Sequence, residues 1–225
     1  MYKTLRLSGM MILMGFLLFS SASFINCMRV NASQAETVDK AGKDQMIVVV
    51  GTGGSKAVCS FDIRQKDGSF KPVLVTNALV GTNGITDKKR EGDLCTPAGV
   101  YDIGYAFGIL KDPRTAILYR QVKSTDYYVD DASSAHYNKW VDIAVTPKDF
   151  NSAEHLIDIC PEYDYALYID YNDACVKGAG SGIFMHCMGA KNSTSGCVSV
   201  PQDVMKKIVQ MIKPGARIMI SGLSQ

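Results

Sequence analysis

Gly180-Ser181-Gly182-Ile183-Phe184-Met185-His186-Cys187-Met188-Gly189-Ala190-Lys191-Asn192-Ser193-Thr194-Ser195-Gly196-Cys197-Val198-Ser199-Val200-Pro201 is the most informative stretch of this 225-residue chain. An apolar run from Gly182 to Met185 reads as a strand that delivers His186. A small polar loop follows, and Ser195-Gly196-Cys197-Val198 then presents a cysteine just before a second apolar run. A thiol is a weak nucleophile and its thiolate a strong one. An imidazole on a neighbouring strand can take the thiol proton, and the pair can attack an acyl carbon. Gly196 permits close backbone approach, so amides at Ser195, Gly196 and Cys197 can face a developing oxyanion. Spacing by itself equally allows Cys197 as a small buried hydrophobe and His186 as a hydrogen-bonded core residue.

Further stretches carry a resemblance. Thr194-Ser195-Gly196-Cys197-Val198 with His186, the run Gly180-Ser181-Gly182-Ile183-Phe184-Met185-His186, Gly92-Asp93-Leu94-Cys95-Thr96-Pro97-Ala98-Gly99-Val100-Tyr101, and Tyr165-Ala166-Leu167-Tyr168-Ile169-Asp170-Tyr171-Asn172 resemble the motifs of the YkuD-type L,D-transpeptidases. The resemblance spans roughly residues 45 to 222. It implies a β-rich fold and a cysteine-dependent acyl transfer that cross-links peptidoglycan stem peptides. Cys197 would be the nucleophile and His186 the base. The backbone carbonyl of Cys187 would orient the imidazole. No metal or organic cofactor is needed for that chemistry. Two positions depart from the family's commonest pattern. Ser195 stands where a histidine is usual, and Ser199 where an arginine is usual.

Two other classes stay open. A cysteine peptidase of the L,D-carboxypeptidase kind would form the same thioester and use water as acceptor. A wall-binding module without activity would keep the fold alone. A zinc site at His186, Cys187 and Cys197 is a further alternative, with no C-x-x-C pair to support it. Fast thiol labelling at neutral pH is the expectation for a working thiolate.

The start of the chain has Lys3 and Arg6 ahead of an apolar run from Gly9 to Phe24, with Val30-Asn31-Ala32 at a cleavage-like position. Residues 1–32 therefore read as a secretory signal peptide, with an uncleaved anchor as the alternative. The run is short for a membrane span. Phe24-Ile25-Asn26-Cys27 resembles a lipoprotein acylation site only faintly. Residues 33–45 read as a polar linker and 46–225 as one catalytic domain, large enough for a core. Export puts the protein outside the cytoplasm, secreted or associated with the wall.

The formal net charge is +2, and residues 1–32 hold Lys3, Arg6 and Arg29 without an acid, so the remainder is close to neutral. That gives no electrostatic footprint for nucleic acid. A monomer acting on stem peptides is expected. Beyond Cys197, the cysteines after residue 32 are Cys59, Cys95, Cys160, Cys175 and Cys187, and their pairing stays open. Most of them are expected to be buried thiols.

Strands are expected at Met46–Val50, Ala57–Arg64, Pro72–Val80, Val100–Ile103, Trp140–Val145, Ala166–Tyr171, Ile183–Met185 and Arg217–Ile220. Asp67-Gly68 suits a hairpin turn. One helix is expected after Pro201, with Val204, Ile208, Met211 and Ile212 on one face and Pro214-Gly215 at its end. The sum is a mainly β fold, a sandwich or partly closed barrel with few helices. Residues 105–165 give no clear period. Their aromatic segments Tyr127–Asp131 and His136–Trp140 are either the ordered wall of a long loop or the flank of the groove. His136 and His155 lack a neighbouring nucleophile and are expected to be structural. Glu154-His155-Leu156 is expected to begin a short helical or loop segment.

Overall fold

The computed structural model describes residues 44–222, so the expected signal peptide and nearly all of the expected linker lie outside the described residues. Strands β1 (Gln45–Gly53), β2 (Lys56–Arg64) and β3 (Phe70–Leu79) form an antiparallel meander. Lys71, Val73, Val75 and Asn77 of β3 face solvent and their neighbours turn inward, the period-2 pattern of a sheet with one wet face. The Asp67 carboxylate accepts the Ser69 amide at 3.0 Å and fixes the β2–β3 turn.

The chain then makes β4 (Ile85–Thr86), β5 (Thr96–Pro97), β6 (Gly99–Gly108), β7 (Tyr119–Gln121), β8 (Asp126–Val129), β9 (Lys139–Asp142) and β10 (Ala153–His155). It closes with β11 (Ala166–Ile169), β12 (Phe184–Cys187), β13 (Val198–Val200), helix α1 (Gln202–Met211) and β14 (Arg217–Ser221). The main sheet runs β11-β12-β13-β3-β2-β1-β14-β6-β7, and β11 also pairs with β6. That last pairing closes the sheet into a barrel. It is possible because β6 is long: Gly99 to Asp102 pair with β14, and Ile103 to Phe107 with β11. Closure leaves few unpaired edges.

The barrel interior holds Ile47, Val49, Phe61, Leu167, Met185, Val198, Val200 and Ile218. Helix α1 adds Met205, Ile208 and Val209, followed by Ile212, all buried. Each such side chain contributes about 1.5–3 kcal/mol on leaving water. A second cluster joins Phe107, Tyr128, Tyr163, Tyr168, Phe184 and Cys197. It fastens the small sheet β10-β8-β9 to the barrel wall.

The fold is mainly β with one α-helix near its C-terminal end, as the alternation indicated. Local expectations need correction. Strand β12 begins at Phe184 and runs through His186 and Cys187, so the histidine lies within the strand and not after it. Gly92 to Cys95 belong to a turn, because Asp93 caps it through side-chain bonds to backbone amides. β9 ends at Asp142, whose carboxylate bonds the Ala144 amide and starts a turn. Glu154 and His155 lie on β10 and a 3-10 turn follows from Leu156 to Asp158. Among the described residues Cys59, Cys187 and Cys197 are buried, Cys95 and Cys175 are half-buried, Cys160 is exposed, and all six are free thiols, so the expectation that most cysteines besides Cys197 are buried holds only for Cys59 and Cys187.

Candidate active site

β12 and β13 run parallel with Met185 opposite Val198 and His186 opposite Ser199. Alternation then sends Met185, Cys187, Val198 and Val200 into the barrel core. Phe184, His186, Cys197 and Ser199 share the other face, toward the aromatic cluster. The loop between the strands thus returns Cys197 beside the strand that carries His186. Both residues are buried.

His186 Nδ1 lies 2.8 Å from the Cys187 carbonyl oxygen. A carbonyl only accepts, so Nδ1 carries the proton and Nε2 is left with its lone pair. The Tyr163 ring meets the imidazole edge-on, 5.4 Å between centroids. Burial lowers the imidazole's affinity for a second proton, and the Cys187 bond and the Glu162 charge only partly offset this.

The Phe184 amide donates to Cys197 Sγ at 3.3 Å, and the thiol donates to the Gly182 carbonyl at 3.2 Å. Burial pushes the Cys197 thiol up to about 12, and the Glu154 charge adds to the rise. The Phe184 amide and the Lys89 ammonium pull the other way. Thiol and imidazole are therefore both neutral at rest. Burial of the sulfur weighs against a standing thiolate, since a desolvated anion is unfavourable.

The turn before the thiol is tightly held. Thr194 Oγ1 donates to the Cys197 carbonyl at 2.6 Å, and Thr96 Oγ1 donates to it at 3.2 Å. The Gly196 amide donates to Thr194 Oγ1 at 3.2 Å. Of the three amides expected to face an oxyanion, that of Gly196 is thus already engaged. Ser195 is exposed and Gly196 buried. Gly196 has φ +151, and a Cβ there would lie 3.0 Å from the Cys95 carbonyl oxygen. Only glycine suits that conformation and that gap.

Sequence reasoning missed Glu154, Tyr163 and Lys89. Tyr163 OH donates to Glu154 Oε2 at 2.5 Å, in the cluster that contains Cys197. Burial lifts Glu154 to about 7; the Tyr163 bond opposes that rise and the Asp130 charge adds to it. A carboxyl in an aromatic-rich segment carries no local signal of burial. Tyr128 from this region is buried beneath Phe184, 4.9 Å between ring centroids, and is part of the site's floor. His155 bonds Asp158 and the Ser124 carbonyl, away from the thiol. The structure does not bring His155 to the Cys197–His186 pair.

The chain matches the family described as YkuD, L,D-transpeptidase catalytic domain, over residues 30–220. No curated protein matches it. Among solved structures, the helical cell shape determining protein Pgp2 from Campylobacter jejuni is similar at 17% identity and TM-score 0.46, covering 80% of this chain and 48% of that one. L,D-transpeptidase 3 from Mycobacterium tuberculosis, solved with a faropenem-derived adduct, is similar at 15% identity and TM-score 0.38, covering 80% and 61%. An L,D-transpeptidase from Mycobacterium smegmatis gives 14% identity and TM-score 0.36, covering 80% and 59%. The chain spans about half the length of the first of these.

Proposed function

This chain belongs to the YkuD family of L,D-transpeptidase catalytic domains, and from that premise we propose that it transfers acyl groups between peptidoglycan stem peptides through a thioester on Cys197. The observation that carries the proposal is the placement of a buried thiol and a buried imidazole on one face of β12 and β13, with Nδ1 committed to Cys187.

Because thiol and imidazole are both neutral at rest, proton transfer accompanies attack. Cys197 Sγ bonds to the carbonyl carbon of an L,D peptide link as its proton passes to His186 Nε2. The carbon–nitrogen bond then breaks, and His186 returns that proton to the departing D-amino acid. The amides of Ser195 and Cys197 stabilise the oxyanion, each such donor being worth about 3 kcal/mol. An amine of a second stem attacks the thioester, gives its proton to His186, and displaces Cys197 as the thiol. No metal or cofactor enters, and one copy of the chain suffices.

The proposed substrate lies outside the cytoplasmic membrane, and the basic then apolar start of the chain agrees with export. N-terminal sequencing of the protein from its own cell should find a start near Ser33; Met1 on a membrane-bound form would mark an anchor, and Met1 on a soluble cytoplasmic form would refute the wall substrate. The activity test is mass spectrometry of purified stem peptides incubated with the protein. Cross-linked dimers are expected. Release of the terminal D-amino acid alone would mark a carboxypeptidase. No change in any stem would refute acyl transfer. A covalent β-lactam adduct on Cys197, read from intact mass with faropenem as probe, is expected from the same acyl chemistry.

A further inference from the structure

Lys89 is a lysine that barely meets water: its side chain is 5% exposed. Its ammonium donates to Asp93 Oδ1 at 2.6 Å and to the Arg90 carbonyl at 2.7 Å. Asp93 is itself fixed. Its Oδ1 accepts the Cys95 amide at 2.9 Å, and its Oδ2 accepts the Arg90 amide at 2.7 Å. Burial alone would raise the Asp93 carboxyl, but the Lys89 bond and the two amides outweigh that and hold it below its ordinary range. The pair is therefore charged, and the cation is clamped.

The lysine stem runs over the two glycine turns that frame the nucleophile. A Cβ at Gly180 would lie 3.2 Å from Lys89 Cγ and Cε, and one at Gly196 would lie 3.7 Å from Cε. At Gly180 a side chain would crowd the lysine, whereas at Gly196 the lysine lies at ordinary contact distance from the turn. The loop that carries Lys89 is pinned from outside. The Glu91 amide donates to the Gly178 carbonyl at 2.9 Å, and Glu91 accepts the Tyr137 hydroxyl, which in turn accepts the Gly180 amide at 3.1 Å. Strand β13 supplies no cation of its own, since the residue two after the nucleophile is the buried Ser199. An ammonium has three donors, and two are used by Asp93 and Arg90.

We propose that Lys89 is the positioning cation of the nucleophile: clamped by Asp93, it holds a fixed positive charge beside the Gly196–Cys197 turn, favouring negative charge on the Cys197 sulfur and then on the oxyanion formed there. This deepens the acyl-transfer reading and rests on it for the second half. The groups whose charges act at the thiol are Lys89 and Glu154, with opposite signs, alongside the neutral His186 and Tyr163. A fixed charge in a water-poor site is preorganised, so its effect on a developing anion is large compared with one at the surface.

The test compares Lys89→Met and Asp93→Asn in the full-length protein. The readout is the rate of iodoacetamide alkylation at Cys197 against pH, with the labelled cysteine identified by peptide mass spectrometry. Lys89→Met removes the cation and should slow alkylation about three- to tenfold at a fixed pH, as a charge effect of this range does. Asp93→Asn leaves the cation without its counter-charge and should speed alkylation. Lys88→Met, at an exposed neighbour with the same loss of charge, should leave the rate unchanged. Opposite shifts in the first two variants cannot come from simple loosening of the loop, which would move both the same way. Equal rates in Lys89→Met and the wild type, or shifts of the same sign in Lys89→Met and Asp93→Asn, would overturn the proposal. Should Lys89→Met fail to fold, absence of the acceleration in Asp93→Asn overturns it. The function stands separately: stem peptides left unchanged by a wild type whose variants show the opposite shifts would remove the transpeptidase reading and leave the cation in place.

Discussion

The Phe184 amide donates to Cys197 Sγ at 3.3 Å, across two strands whose register sets Met185 opposite Val198. One residue earlier on each strand, backbone and sulfur therefore meet. The sulfur is held between an amide that favours its anion and a desolvated aromatic floor that opposes it. Several outcomes can be measured.

Cys197→Ala should abolish cross-link formation while the fold survives, since the cavity left is that of one sulfur. His186→Gln should cut turnover by about 10²–10⁴-fold, the usual contribution of a general base. Mass spectrometry of stem peptides reads both. Retained turnover in a folded Cys197→Ala protein would end the proposed mechanism.

Cys197 should alkylate slowly near neutral pH in the wild type. Its rate should climb from about pH 7 to about pH 10 without a plateau, because a thiol held near 12 is titrated by none of that range. A plateau below pH 8 would show a standing thiolate–imidazolium pair instead.

Gly196→Ala should lose about 1–3 kcal/mol of stability, the usual toll of forcing a side chain into a sparsely populated backbone conformation. Its φ is +151 and the new Cβ would press on the Cys95 carbonyl. Thermal unfolding measures the loss. Turnover should fall further than stability explains, because the turn aims the thiol.

Thr194→Val removes the hydroxyl that bonds the Cys197 carbonyl and accepts the Gly196 amide. A loss of about 1–2 kcal/mol is expected for the unmet Gly196 amide, the Cys197 carbonyl keeping Thr96 as a donor, with turnover down on the order of tenfold from a misplaced sulfur. Thr194→Ser should restore most of both, since it keeps the oxygen.

Glu154 gives a pH signature in stability. Its folded carboxyl is raised from 4.5 to about 7, chiefly by burial. Below pH 4.5 both folded and unfolded forms are protonated and nothing is lost. As pH rises toward 7 the unfolded form releases its proton first, so stability falls, and above 7 the loss levels off. Allowing for its partial contact with water, the loss is about 2 kcal/mol. Glu154→Gln should abolish that part of the pH dependence and be the more stable protein above pH 7. Chemical denaturation at about pH 5 and about pH 8 compares the two; parallel curves would place Glu154 in water.

Much of the architecture was legible because its signals are local. A continuous apolar run marks β1 and alternation marks β2; Asp67-Gly68 marks a turn; Pro201 and Pro214-Gly215 bracket α1. The candidate pair was legible as a strand, a polar loop and a Gly-Cys turn. β12 extends past Met185 through His186 and Cys187, because its pairing with β13 continues where the apolar pattern is broken by a polar side chain. Gly92 to Cys95 form a turn ahead of β5, because Asp93 caps the Arg90 and Cys95 amides. Residues 105–165 hid the small sheet because β8, β9 and β10 are only three or four residues long, too short to show a period.

The sequence by itself determined the strands, the turns that demand glycine, and the strand–loop–turn order that carries His186 and Cys197, because each depends on neighbours within a few residues or on one short loop. Tertiary structure alone decided the electrical setting of that thiol. Lys89, Glu154 and Tyr163 come from separate segments and reach Cys197 only once the barrel has closed through β6 and β11 and the small sheet has been fastened to its wall. The charge state of a buried group follows from how much water it loses and which charges face it. Both are properties of the packed chain.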